Sequence, residues 1–255
     1  MRVTQIFNVY LEKGGEENYV DFLEDQFRGD DRFATLRFYS SDWKKAGAPN
    51  KLMQALKMYH NREALERLRE HERVFESDVW LLHNIFPVGS AAIFALARKR
   101  GIRTVVVTHN FRPFSVSGYL WADHGVAKTG LRKNFFPEIR EGAWRSSSLQ
   151  TAWYAILLWV LHARGTFRKV SHWIAISDFM REQFIGAGID PERITTLKHV
   201  LPIRPLENFD CKDEGYYLYL GRLVEMKGLR FLVEAWESLG SEGPLLKICG
   251  DGPEE

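Results

Sequence analysis

Cysteine is scarce in this chain: two in 255 residues, Cys211 and Cys249, with no CxxC spacing and no histidines placed beside them. That excludes a disulfide framework and a cysteine-based metal site, and it fits a reducing compartment. Long apolar runs are missing as well. The most apolar stretch, TAWYAILLWVLHA from Thr151 to Ala163, is far shorter than the roughly 20 residues of a spanning helix, so it reads as a buried or interfacial helix. No charge of one sign dominates either. Lys and Arg total 35 against 33 Asp and Glu, a net charge of +2, so the chain as a whole carries no footprint for nucleic acid and any basic patch must be local. The opening MRVTQIFNVYLEKGGEE has no basic n-region, apolar core or small-residue cleavage site. It reads as a first strand, and the expected location is cytoplasmic. There is no internal repeat and no low-complexity segment.

What the chain does have is 45% apolar residues and an alternation of strand and helix patterns. RVTQIFNVYL is a strand, followed by a glycine pair and the helix EENYVDFLEDQF. FATLRFYS is a second strand. Leu52, Leu56, Tyr59, Leu65 and Leu68 recur among charges between Asn50 and Phe75, which predicts one long amphipathic helix. DVWLLHN then predicts a strand, PVGSAAIFALARKRG a helix stopped by Gly101, and RTVVVTHN a strand. Such alternation favours a parallel sheet with helices on both faces. From Phe111 to Ser148 the pattern breaks into a segment too long for an ordinary connection. It resumes with a helix at about Leu149 to Arg168, the strand VSHWIAIS, the helix DFMREQFIGAG and the strand RITTLKHVL. PIRPLENFDCKDEG reads as a linker. The expected division is a first domain over 1–203, a linker over 204–214 and a second α/β unit over 215–255. That unit shows only the strand YYLYL, a helix from about Lys227, the strand PLLKICG and the turn DGPEE, and two strands cannot bury a helix layer alone. The sequence therefore looks cut inside its second domain.

Several positions carry candidate chemistry. Arg222 sits at the carboxyl end of a strand and Lys227 in the first turn of the helix expected after it, where free N–H groups favour an anion. The two cations suit a diphosphate. A salt bridge with Glu225 or a solvated face accounts for them equally well on spacing. Gly14 and Gly15 permit close approach of a ligand or simply make a tight turn. His109 ends TVVVTHN at the carboxyl edge, where it is either a donor to a sugar or phosphate or a histidine capping the strand. His83 shares that edge with no role assigned. Gly250, Asp251 and Gly252 make a second glycine turn suited to a nucleotide, or a turn and nothing more. Trp144, Trp153, Tyr154 and Trp159, with Arg145, Arg164, Arg168 and Lys169, present either a membrane-resting helix or core packing.

GRLVEMKGLRFLVEAW followed by LKICGDGPEE resembles the nucleotide-sugar-binding domain of the retaining glycosyltransferases of family four, which have the GT-B fold. EKGGEEN, VVVTHNFRP and AISDFMREQFIGAGIDPERI agree with that family in the same order, over nearly the whole chain. The resemblance implies an α/β protein of GT-B type, with a complete N-terminal Rossmann-like domain and the beginning of a second. It implies that Arg222 and Lys227 hold the donor diphosphate, with Gly14 and Gly15 bordering that phosphate and the acceptor. His109 would face the transferred sugar, and Gly250, Asp251 and Gly252 would lie near the nucleoside. The implied chemistry is hexosyl transfer with retention, in polysaccharide or glycolipid biosynthesis, without a metal or other cofactor. The implied partners are a nucleotide-diphosphate sugar and a saccharide or lipid-linked acceptor, with no nucleic acid. Peripheral contact with the inner membrane face is a further candidate.

The chain departs from the family pattern in three places. FSVSGYLWADHGVAKTG lacks the cysteine cluster often found after the histidine. LKHVLPIRP stands where asparagine-glycine-valine-aspartate is common. The paired glutamates that grip the donor would lie beyond Glu255, so the chain alone is expected to be inactive. A non-catalytic GT-B subunit and a nucleotide-sugar epimerase are the alternatives. A nicotinamide dehydrogenase would need GxGxxG after the first strand and an acidic residue ending the second, which KGGEEN and FYSSDW do not supply.

Overall fold

A computed structural model describes residues 1–11, 14–122, 125–200, 213–240 and 243–255. The chain divides into two units, Met1–Val200 and Leu201–Glu255. In the first, strands and helices alternate: β1 (Val3–Val9), α1 (Gly15–Gln26), β2 (Phe33–Tyr39), α2 (Lys51–Tyr59), α3 (Arg62–Val74), β3 (Val79–Leu82), α4 (Ala92–Arg100) and β4 (Arg103–Thr108). There follow the two-residue strands β5 (Trp121–Ala122) and β6 (Gly125–Val126), then α5 (Phe136–Glu141), α6 (Ser148–Ala163), β7 (His172–Ala175), α7 (Asp178–Gly186) and β8 (Ile194–Thr196). Six strands form one parallel sheet in the order β2-β1-β3-β4-β7-β8. From β1 the chain first steps outward to β2, then returns to the other side of β1 with β3. The switch between β1 and β3 is the place where an open α/β sheet forms a crevice outside its carboxyl ends.

A central parallel strand is buried on both faces and ordinarily reads as a run of branched apolar residues. β1 reads VTQIFNV, and Thr4, Gln5 and Asn8 are fully buried in it. Each has partners. Thr4 Oγ1 lies 2.8 Å from His71 Nε2 and 2.6 Å from Ser77 Oγ. Gln5 Nε2 donates to the Val20 carbonyl at 3.1 Å. Asn8 Nδ2 donates to Ser40 Oγ at 2.8 Å and its Oδ1 accepts from the Val88 N–H at 2.9 Å, so one side chain joins the carboxyl ends of β1, β2 and β3.

The single helix expected from Asn50 to Phe75 is two helices. His60 takes an extended backbone (φ −142°, ψ 99°), and Asn61 turns its Nδ2 inward to the Val88 carbonyl at 2.8 Å. α2 is capped separately by Asn50, whose Oδ1 accepts from the Met53 N–H at 2.9 Å. α4 starts at Ala92, not at Pro87, because Ser90 is in the left-handed region (φ 72°) and ends any helix running through it. The predicted helix to Arg168 ends at Ala163 and is followed by a 3-10 turn, Phe167–Lys169. The irregular segment from Phe111 is ordered by one carboxylate. Glu138, 3% exposed, accepts from Ser115 Oγ at 2.7 Å, Ser117 N–H at 2.9 Å and Val116 N–H at 3.1 Å.

The second unit contains β9 (Tyr216–Leu220), α8 (Leu229–Ser238) and β10 (Leu245–Cys249), with β9 and β10 paired in parallel. Trp236 packs its ring on Tyr217 and donates from Nε1 to the Pro244 carbonyl at 2.7 Å. Leu218, Leu220, Leu245 and Ile248 stay exposed, more apolar surface than two strands and one helix can cover. α8 begins at Leu229. Lys227 ends a 3-10 turn, Glu225–Lys227, closed by Gly228 at φ 71°, so it precedes the helix and does not belong to its first turn. The expected linker, 204–214, lies outside the described residues up to 212.

Glu72 fixes the junction of α3 and β3. Its buried carboxylate accepts from the Ser77 N–H at 2.8 Å, Ser77 Oγ at 2.6 Å and Trp80 Nε1 at 2.8 Å. Glu72→Ala leaves these donors unpaired in the interior and is expected to lower stability by about 2–4 kcal/mol, read from urea unfolding. Loss of less than about 1 kcal/mol would show that water replaces the carboxylate.

Candidate functional site

Three imidazoles meet at the carboxyl edge of the six-stranded sheet. His83 follows β3 and His109 follows β4, neighbouring strands in register, so their side chains leave the sheet side by side. His199 arrives from the far edge. Leu197 donates its N–H to the Ala175 carbonyl at 2.8 Å as the last rung of the β7–β8 ladder, and two residues later His199 reaches His109. His83 Nδ1 lies 2.8 Å from His109 Nε2, and His109 Nδ1 lies 3.2 Å from His199 Nε2. The rings stack, with centroids 5.2 and 5.0 Å apart. Tyr19 of α1 closes the row edge-on, 4.1 Å from the His199 ring.

Burial favours the neutral form of His83 and His109, while His199 ends the row in an exposed position. It lowers the His109 pKa from 6.5 to about 3, helped by repulsion from His199. His83 is lowered well below its usual value, chiefly by burial and then by repulsion from the other two, and burial lowers His199 as well. A neutral imidazole has one N–H, so the row must be polarised in one direction. His83 Nε2 is buried without a partner. A bare ring nitrogen is easier to leave unpaired in the interior than an N–H. With the protons on His83 Nδ1 and His109 Nδ1, each contact in the row has one donor and one acceptor.

A second group stands beside the row. Glu16, in the first turn of α1, accepts from Asn110 Nδ2 at 2.6 Å, and its Oε2 is buried without a partner. Its pKa is raised, burial outweighing the pull of Arg112 and Asn110. Arg112 donates from Nε to the Tyr10 hydroxyl at 3.3 Å and lies over the Trp144 ring at 4.8 Å. Burial works against its charge, and Tyr10 and Tyr154 more than offset that, so its pKa is raised. Glu16, His83, Asn84, His109, Asn110 and Arg112 line a small cavity of about 50 Å³.

The two glycine turns differ in kind. At Gly14, which has an extended backbone (φ −137°, ψ 179°), and at Gly15, an added Cβ would meet nothing within 4 Å. Nothing in the fold requires glycine there. In the second unit a Cβ on Gly250 would come 1.8 Å from the Gly221 carbonyl oxygen, and one on Gly252 would come 2.1 Å from that of Leu223. The Leu223 N–H donates to the Asp251 carbonyl at 2.9 Å in the same contact. These glycines are needed for the loops after β9 and β10 to touch. Arg222 and Lys227 are exposed, and neither is in an ion pair among the described residues.

The first unit thus brings His109 together with His83, His199, Tyr19 and Glu16, none of which was assigned a role from sequence. His83 had a visible signal, its place at the same strand edge. His199 had none, because a residue three positions past an edge strand gives no hint that the chain doubles back. Among the described residues no cluster of His, Cys, Asp and Glu has the arrangement of a metal site.

A parallel sheet switching direction at β1 and β3, followed by a second parallel unit, is a GT-B architecture. Residues 26–198 match the glycosyl transferase 4-like domain, and the chain belongs to that family. The fold is similar to that of the lipopolysaccharide outer core galactosyltransferase WaaB in its apo form (TM-score 0.50, 13% identity), with 100% of this chain aligned to 62% of that one. It is also similar to HepE of Anabaena, solved in complex with UDP (TM-score 0.54, 14% identity), with 99% of this chain aligned to 61%. The chain therefore spans about three fifths of those proteins. No curated protein sequence matches it significantly.

The buried histidines give stability a definite pH dependence. Between pH 6.5 and about 3 the unfolded chain takes up a proton that folded His109 refuses, so stability falls as pH falls through that window. The slope expected is about 1.4 kcal/mol per pH unit for each such histidine. Urea unfolding at a series of pH values measures it, and His109→Phe should flatten the slope. An unchanged slope in that variant would mean that His109 protonates freely in the folded state.

Proposed function

We propose that the protein is a glycosyltransferase that moves a hexosyl group from a nucleotide-diphosphate sugar to a saccharide or lipid-linked acceptor with retention of configuration. The observation that carries this reading is the carboxyl edge of the six-stranded sheet, where the open turn at Gly14 and Gly15 stands near a neutral, oriented His109. The family match over the same unit supports it, as does the UDP bound by the similarly folded HepE.

In the first unit, Gly14 and Gly15 leave space for phosphate and acceptor, since no protein atom occupies the volume a side chain would fill. His109 faces the transferred sugar with its ring, both of its nitrogens being held by His83 and His199. A neutral ring there adds no charge that would compete with those on the diphosphate. In the second unit, Arg222 and Lys227 take the diphosphate, and their charge stabilises it as it departs. Gly250, Asp251 and Gly252 border the nucleoside through backbone atoms.

Incubation of the full-length protein with labelled nucleotide sugars and lipid-linked acceptors tests the reading. Labelled acceptor and free nucleotide diphosphate are expected, and the absence of both overturns it. Free sugar formed without an acceptor would indicate the epimerase. Arg222→Ala and Lys227→Ala are each expected to weaken donor binding by about 1.5–3 kcal/mol, the scale of a hydrogen bond to a charged group. Titration calorimetry with the nucleotide diphosphate reads this, and unchanged affinity in both variants removes the diphosphate role.

A further inference from the structure

Charge is segregated in the first unit in a way that net charge conceals. No Asp or Glu occurs from Val79 to Ala122 or from Gly142 to Ser177, yet these stretches hold five and four Lys or Arg residues respectively. The fold brings the two stretches together along a groove of about 610 Å³, between α4 and the segment that leads from the end of α6 to β7. That volume is in the range of small-molecule sites, roughly 300–1,000 Å³. Arg98, Arg103, Arg164 and Lys169 line the groove, no carboxylate does, and none of the four is in an ion pair among the described residues. Two of the cations are held in place. Arg164 donates to the Tyr59 hydroxyl and lies over its ring at 5.5 Å, and Lys169 Nζ donates to the Arg164 carbonyl at 3.0 Å. Ser171 Oγ accepts from the Thr104 N–H at 3.2 Å, which leaves its own O–H free to donate. Cations gathered without a carboxylate repel one another until an anion joins them.

The groove is also joined to the histidine row. Phe94 lines it, one turn of α4 before Arg98, and lines as well the cavity of about 50 Å³ that holds His83, His109 and Glu16 in its wall. Phe94 is the one described residue common to both. Its ring is half-buried and meets the buried Phe167 ring edge-on, with centroids 6.1 Å apart. Close-packed interiors leave few voids beside a ring. Here one lies on the inner side of Phe94, so the ring has room to shift inward when a ligand presses on it from the groove. His83 Nε2 and Glu16 Oε2 are buried without partners, so these two atoms give up no hydrogen bond when the cavity changes shape. A single ring between a charged groove and the carboxyl edge is an element that both sides can bias.

We propose that the groove is a regulatory site for a small organic phosphate. The phosphate sits among the groove's cations, the apolar body of the ligand rests on Phe94, and the shift of that ring alters the surroundings of His109.

The test uses full-length protein carrying Arg222→Ala and Lys227→Ala, so that the second unit does not compete for phosphate. It uses no sugar donor, so its outcome does not depend on the transfer reaction. Phenyl phosphate and inorganic phosphate are titrated while the His109 ring signals, assigned through His109→Phe, are followed by NMR. Phenyl phosphate is expected to bind at least about tenfold more tightly than inorganic phosphate, the scale of burying one apolar side chain, and to move the His109 signals. Arg98→Ala with Lys169→Ala should weaken both ligands at least about tenfold, as for loss of a hydrogen bond to a charged group. Phe94→Ala should leave the binding of inorganic phosphate unchanged, remove the preference for phenyl phosphate and abolish the His109 response. Phe94→Leu, which keeps an apolar side chain in the partition, should reduce both effects and serves if Phe94→Ala does not fold. Equal affinity for the two phosphates overturns the proposal. Phenyl phosphate that binds without moving His109, or that moves it equally in the Phe94 variants, overturns it too. A response to phosphatidylglycerol vesicles but to neither soluble phosphate assigns the cations to a lipid headgroup and does the same.

Discussion

Everything at the candidate site rests on the satisfaction of buried polar groups in β1. A strand with Thr, Gln and Asn in its interior depends on their hydrogen bonds, because each unpaired polar group costs about 1–3 kcal/mol, and of these side chains only Gln5 leaves an atom, Oε1, without a partner. Asn8 has the most consequential set. Through Ser40, Val88 and a backbone hydrogen bond to the Asn84 carbonyl at 2.6 Å it fixes the relative heights of three strand ends. His83 stands next to Asn84, and the His83 N–H donates to the Ile6 carbonyl at 3.0 Å. The position of the imidazole row thus depends on a side chain whose own hydrogen bonds go to none of the three rings.

The same edge holds neutral histidines and a buried cation, and the difference lies in their chemistry. An imidazole in a dry site yields its proton, as His83 and His109 do. A guanidinium cannot, so Arg112 is surrounded instead, by the faces of Tyr10 and Trp144 and by the Tyr10 hydroxyl. The carboxyl of Glu16 completes the group, its pKa raised by burial against the pull of Arg112.

The alternation of strands and helices was legible because it depends on periodicity, which is local. Where the structure departs from that periodicity, tertiary contacts decide. His60 and Asn61 break the long amphipathic pattern because Asn61 is drawn inward to Val88, a residue 27 positions away. Lys227 falls outside its helix because Gly228 takes a left-handed backbone that the flanking pattern does not announce. The site divides in the same way. His109 and the glycine turns show themselves by ending strands, whereas His199 and Glu16 acquire partners only when chain segments about 90 residues apart meet. In the tryptophan segment Tyr154 is buried and Trp153 bonds to the Ala55 carbonyl, whereas Trp159 stays exposed with Leu149 and Ile156.

The contrast between the two glycine turns bears on how such chains drift. A descendant of this fold could replace Gly14 and Gly15 without steric penalty, since each would point a new side chain into open space. It could not replace Gly250 or Gly252, whose neighbours are backbone carbonyls. The turn after β10 is therefore fixed by backbone packing, whereas packing leaves the pair after β1 free to vary.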